Sequence, residues 1–192
     1  MIERIRTEFQ WNDETNKSNL VNLIRRLAPN ADSYLSLMSG NIALNIPYLF
    51  LQDDWEVIYN EPYNHLTTTE ELRSLLSKCS KQIIVAAHFK QQAREFSLAA
   101  CGPKEILNLN TNQNIPTKFG NVYWYLTPKL SFGFSPTEKI EQRIIDTEDE
   151  QGTKRLSWHL NGFSGGYRVG MTKGLTENKN WRKVILTNTS KP

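Results

Sequence analysis

The chain has 192 residues with 23 basic and 20 acidic side chains, and its formal charge of +3 is too small a surplus to argue for nucleic acid by itself. Hydrophobic residues make up 39% and charged residues 22%, a balance that fills a core and excludes an intrinsically disordered chain. The longest nearly apolar run, 83–87, falls far short of the ~18 residues a membrane-crossing helix needs, and the length suits one domain over 1–192 better than two.

The opening MIERIRTEFQWNDE is charged throughout and lacks the apolar core of a secretory signal. Two cysteines, Cys79 and Cys101, are too few for a disulfide framework, so a cytoplasmic setting with both thiols reduced is expected. Asp13, Glu14 and Thr15 precede Leu20, Val21, Leu23, Ile24 and Leu27, the spacing of an amphipathic helix at about 15–28 packed on the rest of the domain. Between residues 32 and 59 the runs SYLSLM, NIALNI, YLFLQ and WEVIY, broken by Ser39-Gly40-Asn41, Pro47 and Asp53-Asp54, read as short strands joined by tight turns.

Thr68 and Glu71 stand at capping-box spacing, and Leu72, Leu75, Leu76 and Cys79 share one helical face, which predicts a second short helix and turns Cys79 into its core. Residues 83–87, Ile-Ile-Val-Ala-Ala, are apolar without alternation, the pattern of a strand covered on both faces and central in its sheet. Residues 96–100 follow as its hairpin partner across the polar turn 90–95. EILNLN, VYWYL and LSFGFS read as further strands, and KIEQRII as strand in preference to a helical turn.

The most patterned stretch is 155–172. Leu156, Trp158 and Leu160 alternate with Arg155, Ser157 and His159, and Tyr167, Val169 and Met171 alternate with Arg168, Gly170 and Thr172 beyond a Gly-rich loop at 161–166. That is a β-hairpin. The expected register sets Leu160 against Tyr167, Trp158 against Val169 and Leu156 against Met171, with His159 facing Arg168 on the polar side. About ten short strands, two short amphipathic helices and no sustained strand-helix alternation define a mainly β, single-domain antiparallel β-sandwich or partly open barrel.

Chemistry-bearing motifs are sparse. His65, His88 and His159 lie on separate elements with no zinc spacing, so neither a metal nor a cofactor is expected. The acidic run 146–150 lacks the glycine and the terminal glutamate of a calcium loop, and no GxSxG elbow is present. Aromatic and polar residues carry the positive signal. Tyr123 and Tyr125 share one strand face opposite Trp124, and His159, Asn161, Ser164 and Arg168 supply donors on the polar face and loop of the hairpin. A ring platform beside directional donors suits a carbohydrate or other small polar or anionic ligand, and a protein partner fits the same surface. The reading is therefore a non-catalytic recognition module. The enzyme alternative is a hydrolase or transferase using His159 with Arg168, or Cys101 with His88; nucleic-acid binding stands third.

Overall fold

The computed structural model describes residues 31–92, 94–112, 115–140, 152–160 and 167–189. The expected helix at about 15–28, most of KIEQRII, and the loop residues Asn161 and Ser164 lie outside them. All strands belong to the compact unit Ser33–Pro192. They form two antiparallel sheets that do not close into a barrel.

The larger sheet contains β1 (Ile42–Pro47), β2 (Trp55–Pro62), β3 (Gln82–Phe89), β4 (Glu95–Pro103) and β9 (Trp181–Asn188), in the order β1-β4-β3-β9-β2. The smaller contains β5 (Thr117–Phe119), β6 (Val122–Thr127), β7 (Ser131–Ser135) and β8 (Leu156–His159), in chain order. The unalternating 83–87 run occupies the centre of the larger sheet, flanked by β4 and β9, and all five residues are buried. Such a strand must be apolar on both faces because both are covered.

The two sheets meet through one core. The larger sheet contributes Ile42, Tyr59, Val85, Ala87, Leu98, Ala100 and Ile185, and the smaller contributes Trp124, Leu126, Phe132, Phe134, Leu156 and Trp158. Register explains the fit: Trp124 stands opposite Phe134 on β6 and β7, and Phe132 opposite Trp158 on β7 and β8. Each pair meets edge to face with ring centroids 5.2 Å apart, and Trp158 stacks at 6.0 Å on Tyr59 of the other sheet.

The opposite face of the larger sheet has its own core of Ala43, Ile84, Ala86, Phe96, Ala99, Val184 and Leu186, joined by Leu37 from helix α1 (Ala31–Met38). SYLSLM is therefore helical, not a strand. Its apolar residues Tyr34 and Leu37 fall three apart and meet the sheet from one side. YLFLQ likewise forms a 3₁₀ turn (Tyr48–Phe50) after Pro47, and EILNLN belongs to the 3₁₀ segment Lys104–Asn108 after Pro103; in both cases a proline closes the preceding strand.

Helix α2 (Thr69–Ser74) begins where the capping box places it: Thr68 Oγ1 accepts from Glu71 N–H at 3.0 Å, and Glu71 Oε2 accepts from Thr68 N–H at 3.3 Å. The following 3₁₀ turn (Leu75–Lys78) buries Leu75 and delivers Cys79 to the core.

Trp158 packs on rings of both sheets, so its truncation opens a void between them. Trp158→Ala is expected to lower unfolding free energy by about 3–5 kcal/mol, read as a shifted midpoint in urea with little change in slope.

Candidate functional site

The hairpin predicted over 155–172 exists only in part, and its register differs. Leu156 bridges Val169, and Ser157 N–H donates to Arg168 O at 3.1 Å, so the two arms are displaced by two residues from the expected pairing. Arg168 consequently stands across from Ser157 and not from His159. A slip of two preserves which residues share a face, so the alternation of apolar residues is equally satisfied by both registers. The second arm also stops early, because Val169 and Thr172 close a tight turn that leaves Met171 53% exposed.

The polar side of the hairpin is not open to solvent: Arg155, Ser157, His159 and Arg168 are all buried. His159 pairs with Ser131 across β7 and packs its ring on Tyr167. Arg168 Nε donates to Gly170 O at 2.8 Å, while its own carbonyl accepts the Tyr63 hydroxyl at 3.2 Å. Its guanidinium lies close against Gly152, where a Cβ atom would come within 1.6 Å of Nη2. Arg155 Nη1 donates to Lys139 O at 2.7 Å and Nη2 to Thr137 Oγ1 at 2.9 Å, tying the chain after β7 to β8. These two arginines fasten the outer side of the smaller sheet.

Tyr125 is also interior. Its hydroxyl passes over Gly133 and donates to Leu156 O at 3.1 Å, and a Cβ at 133 would stand 2.7 Å from that oxygen. Tyr123 shares its face, as predicted, and is half-buried with the Lys118 ammonium 5.3 Å above its ring. Cys101 and His88 do not meet. Cys101 stands opposite Ile84, four residues along β3 from His88, which at ~3.3 Å per residue is about 13 Å. Burial pushes the Cys101 thiol up to about 11 and lowers the His88 imidazole, the reverse of an activated thiolate beside a charged base.

An open feature does involve the hairpin. A cleft of about 250 Å³ is lined by Leu44, Leu98 and Trp181 of the larger sheet and by Val169, Met171 and Thr172 at the end of the second arm, with Ser97, Thr153 and Gly170 completing it. It opens where the β1–β4 ladder is interrupted. Leu44 pairs with Leu98 and Ile46 with Phe96, but Asn45 between them adopts a left-handed conformation with φ 52°. Ala43 and Ile46, three residues apart, then point to the same outer core, as do Phe96 and Ala99. This break in alternation lets adjacent Ser97 and Leu98 both reach the cleft. Every charged residue next in sequence to a lining residue is a cation: Lys154, Arg168, Lys173 and Arg182.

A second cluster lies on strand β9, which is not among the strands expected from the sequence. Lys183 lies on the inner face of β9, two residues from Trp181 and only 1% exposed. Its Nζ donates to His65 O at 2.7 Å and touches Thr67 Oγ1, which is 2.7 Å from the Tyr59 hydroxyl. His65 Nε2 lies 3.2 Å from Glu71 Oε1, and Nδ1 lies 4.0 Å from Glu61 Oε2. Burial is the main cause that brings the Lys183 ammonium down to about 7 and raises the Tyr59 phenol. The sequence signal was the apolar run Val184, Ile185 and Leu186 that follows the Arg182-Lys183 pair. Among the described residues no group of three or more His, Cys, Asp or Glu side chains is placed to hold a metal ion. No helix of the described residues is long and apolar enough to cross a membrane.

No family model, curated protein or solved structure matches the chain.

The packing of Arg168 on Gly152 is directly testable. Gly152→Ala forces the guanidinium to move and is expected to cost about 1–3 kcal/mol as an overpacking change, measured as a drop in the urea midpoint.

Proposed function

We propose that the protein is a non-catalytic recognition module that binds a protein partner, seating one large apolar side chain of an acidic segment in the cleft beside Leu44, Met171 and Trp181. The observation that carries this reading is the cleft itself, an apolar hollow bounded by an exposed methionine and a tryptophan wall. Its volume of about 250 Å³ lies below the ~300 Å³ at which sites for whole small molecules begin. A single side chain is the better match. The partner's flanks are inferred from charge: Lys154 and Lys173, each next in sequence to a lining residue, are exposed, and no acidic residue adjoins a lining position in sequence. Opposite charge at such a rim speeds encounter and selects the partner, while the buried apolar anchor holds it.

This reading keeps the protein partner expected from the sequence and moves the contact surface from the polar side of the hairpin to its end. A carbohydrate platform on Tyr123 and Tyr125 has less support, since Tyr125 is interior and Lys118 already covers the Tyr123 ring.

The test is fluorescence anisotropy with labelled octapeptides carrying a central Leu, Met or Phe between Asp and Glu flanks, each compared with its Lys-flanked counterpart. Acidic peptides are expected to bind more tightly, with affinity falling as salt rises. Met171→Asp, at an exposed position the fold does not need, is expected to weaken binding at least about tenfold, equivalent to ~1.4 kcal/mol. Equal binding of both peptide series, or an unchanged affinity in Met171→Asp, defeats the proposal.

A further inference from the structure

Lys183 presents a problem in hydrogen-bond accounting that the recognition reading does not touch. The groups facing it are Tyr59 and Glu61 from β2, the His65 carbonyl and Thr67 from the following turn, Glu71 from α2, and Arg182 on its own strand, while the β3 side offers Ala87. Both carboxylates engage the His65 ring instead, and among the described residues no carboxylate pairs with Lys183. An ammonium here has three N–H groups for two acceptors. Both acceptors, the Thr67 hydroxyl oxygen and the His65 carbonyl, are neutral, so neither supplies the opposite charge that would offset burying an ammonium. A neutral amine avoids that charge-burial cost and still fits the cluster. The Tyr59 hydroxyl donates to Thr67 Oγ1, the Thr67 hydroxyl donates to the Nζ lone pair, and an Nζ–H donates to His65 O.

We propose that Lys183 rests as an uncharged amine in a directional Tyr59–Thr67–Lys183–His65 relay, and that proton uptake from solvent by this amine loosens the turn 63–68 together with the capped start of α2. The relay is the side-chain tie between the far half of that turn and the sheet. The near half is held by backbone bonds, Tyr63 N–H to Trp181 O at 3.0 Å and Asn64 N–H to Asn178 O at 3.1 Å, which proton uptake leaves intact. Because Thr67 adjoins the N-cap Thr68, loosening it frees the first turn of α2. The reach of the device extends to the core, since the Tyr59 ring stacks on Trp158.

The direction of the pH effect follows from linkage. The buried amine holds its proton only below about 7, whereas in the loosened turn it regains its ordinary value of 10.5. The open form therefore binds more protons between these values, and opening becomes easier as pH falls through that window and levels off below 7.

Two measurements on the full chain decide the matter. The first follows the ¹⁵N resonance of Lys183 Nζ against pH, with a midpoint near 7 expected; a midpoint near 10 overturns the proposal, and this readout needs no variant. The second follows hydrogen exchange of the Glu71 and Leu72 amides, whose acceptors are Thr68 Oγ1 and Thr68 O. After correction for intrinsic exchange, protection is expected to fall by about tenfold per pH unit from 8.5 to 7.5 and to plateau below 7. The fall should vanish in Lys183→Met and persist in His65→Gln. A flat profile in the unmodified chain, or the same slope in Lys183→Met, overturns the proposal.

Discussion

The structure depends on the interlocking of rings between its sheets. Trp124, Phe132, Phe134 and Trp158 project from three neighbouring strands of the smaller sheet, pair edge to face, and present Trp158 to Tyr59 on the larger one. Large rings bury more apolar area per residue than aliphatic side chains and lose little rotamer freedom in doing so. They set the spacing of the two sheets, and the small residues opposite, Ala87 and Ala100 on β3 and β4, leave them room.

Along the outer side of the smaller sheet a different principle holds. Arg155, Ser157, His159 and Arg168 form a polar layer that is nonetheless interior, because the chain after β7 folds over it and offers carbonyl and hydroxyl partners such as Lys139 O and Thr137 Oγ1. Buried arginine is tolerable where it meets fixed acceptors and its guanidinium is given room by a residue with no side chain, as Gly152 gives Arg168. Residues that resemble an exposed recognition surface in the sequence thus act as fasteners. Among the described residues of the hairpin the exposed ones are Met171 and Thr172 at its end, which the alternating pattern had assigned to its strand.

Much of the architecture was legible. The capping box at Thr68 and Glu71, the central strand at 83–87, the shared face of Tyr123 and Tyr125 opposite Trp124, and the core role of Trp158 all rest on local spacing, and each is present. The misses share a cause. SYLSLM, YLFLQ and EILNLN are short apolar runs whose periodicity fits strand and helix alike, and contact with the larger sheet or a preceding proline decided them. The site was far less legible. Lys183 stands in the sequence directly after another cation, Arg182, and Asn45, whose left-handed backbone shapes the cleft, carries no mark in a sequence beyond a tolerance for that conformation.

By itself, the sequence determined the class of fold, the identity of the inner faces and the start of the second helix, since period and capping are properties of neighbouring residues. The tertiary structure alone decided the hairpin register, the burial of its polar side, the cleft at the break in the β1–β4 ladder and the placement of a lysine among neutral partners. The physical reason is that period-2 patterning is unchanged by a slip of two residues and silent about what lies across a face. Whether a polar side chain meets water, a carbonyl or a ring depends on segments far away in the chain, such as Thr67 for Lys183 and Gly152 for Arg168.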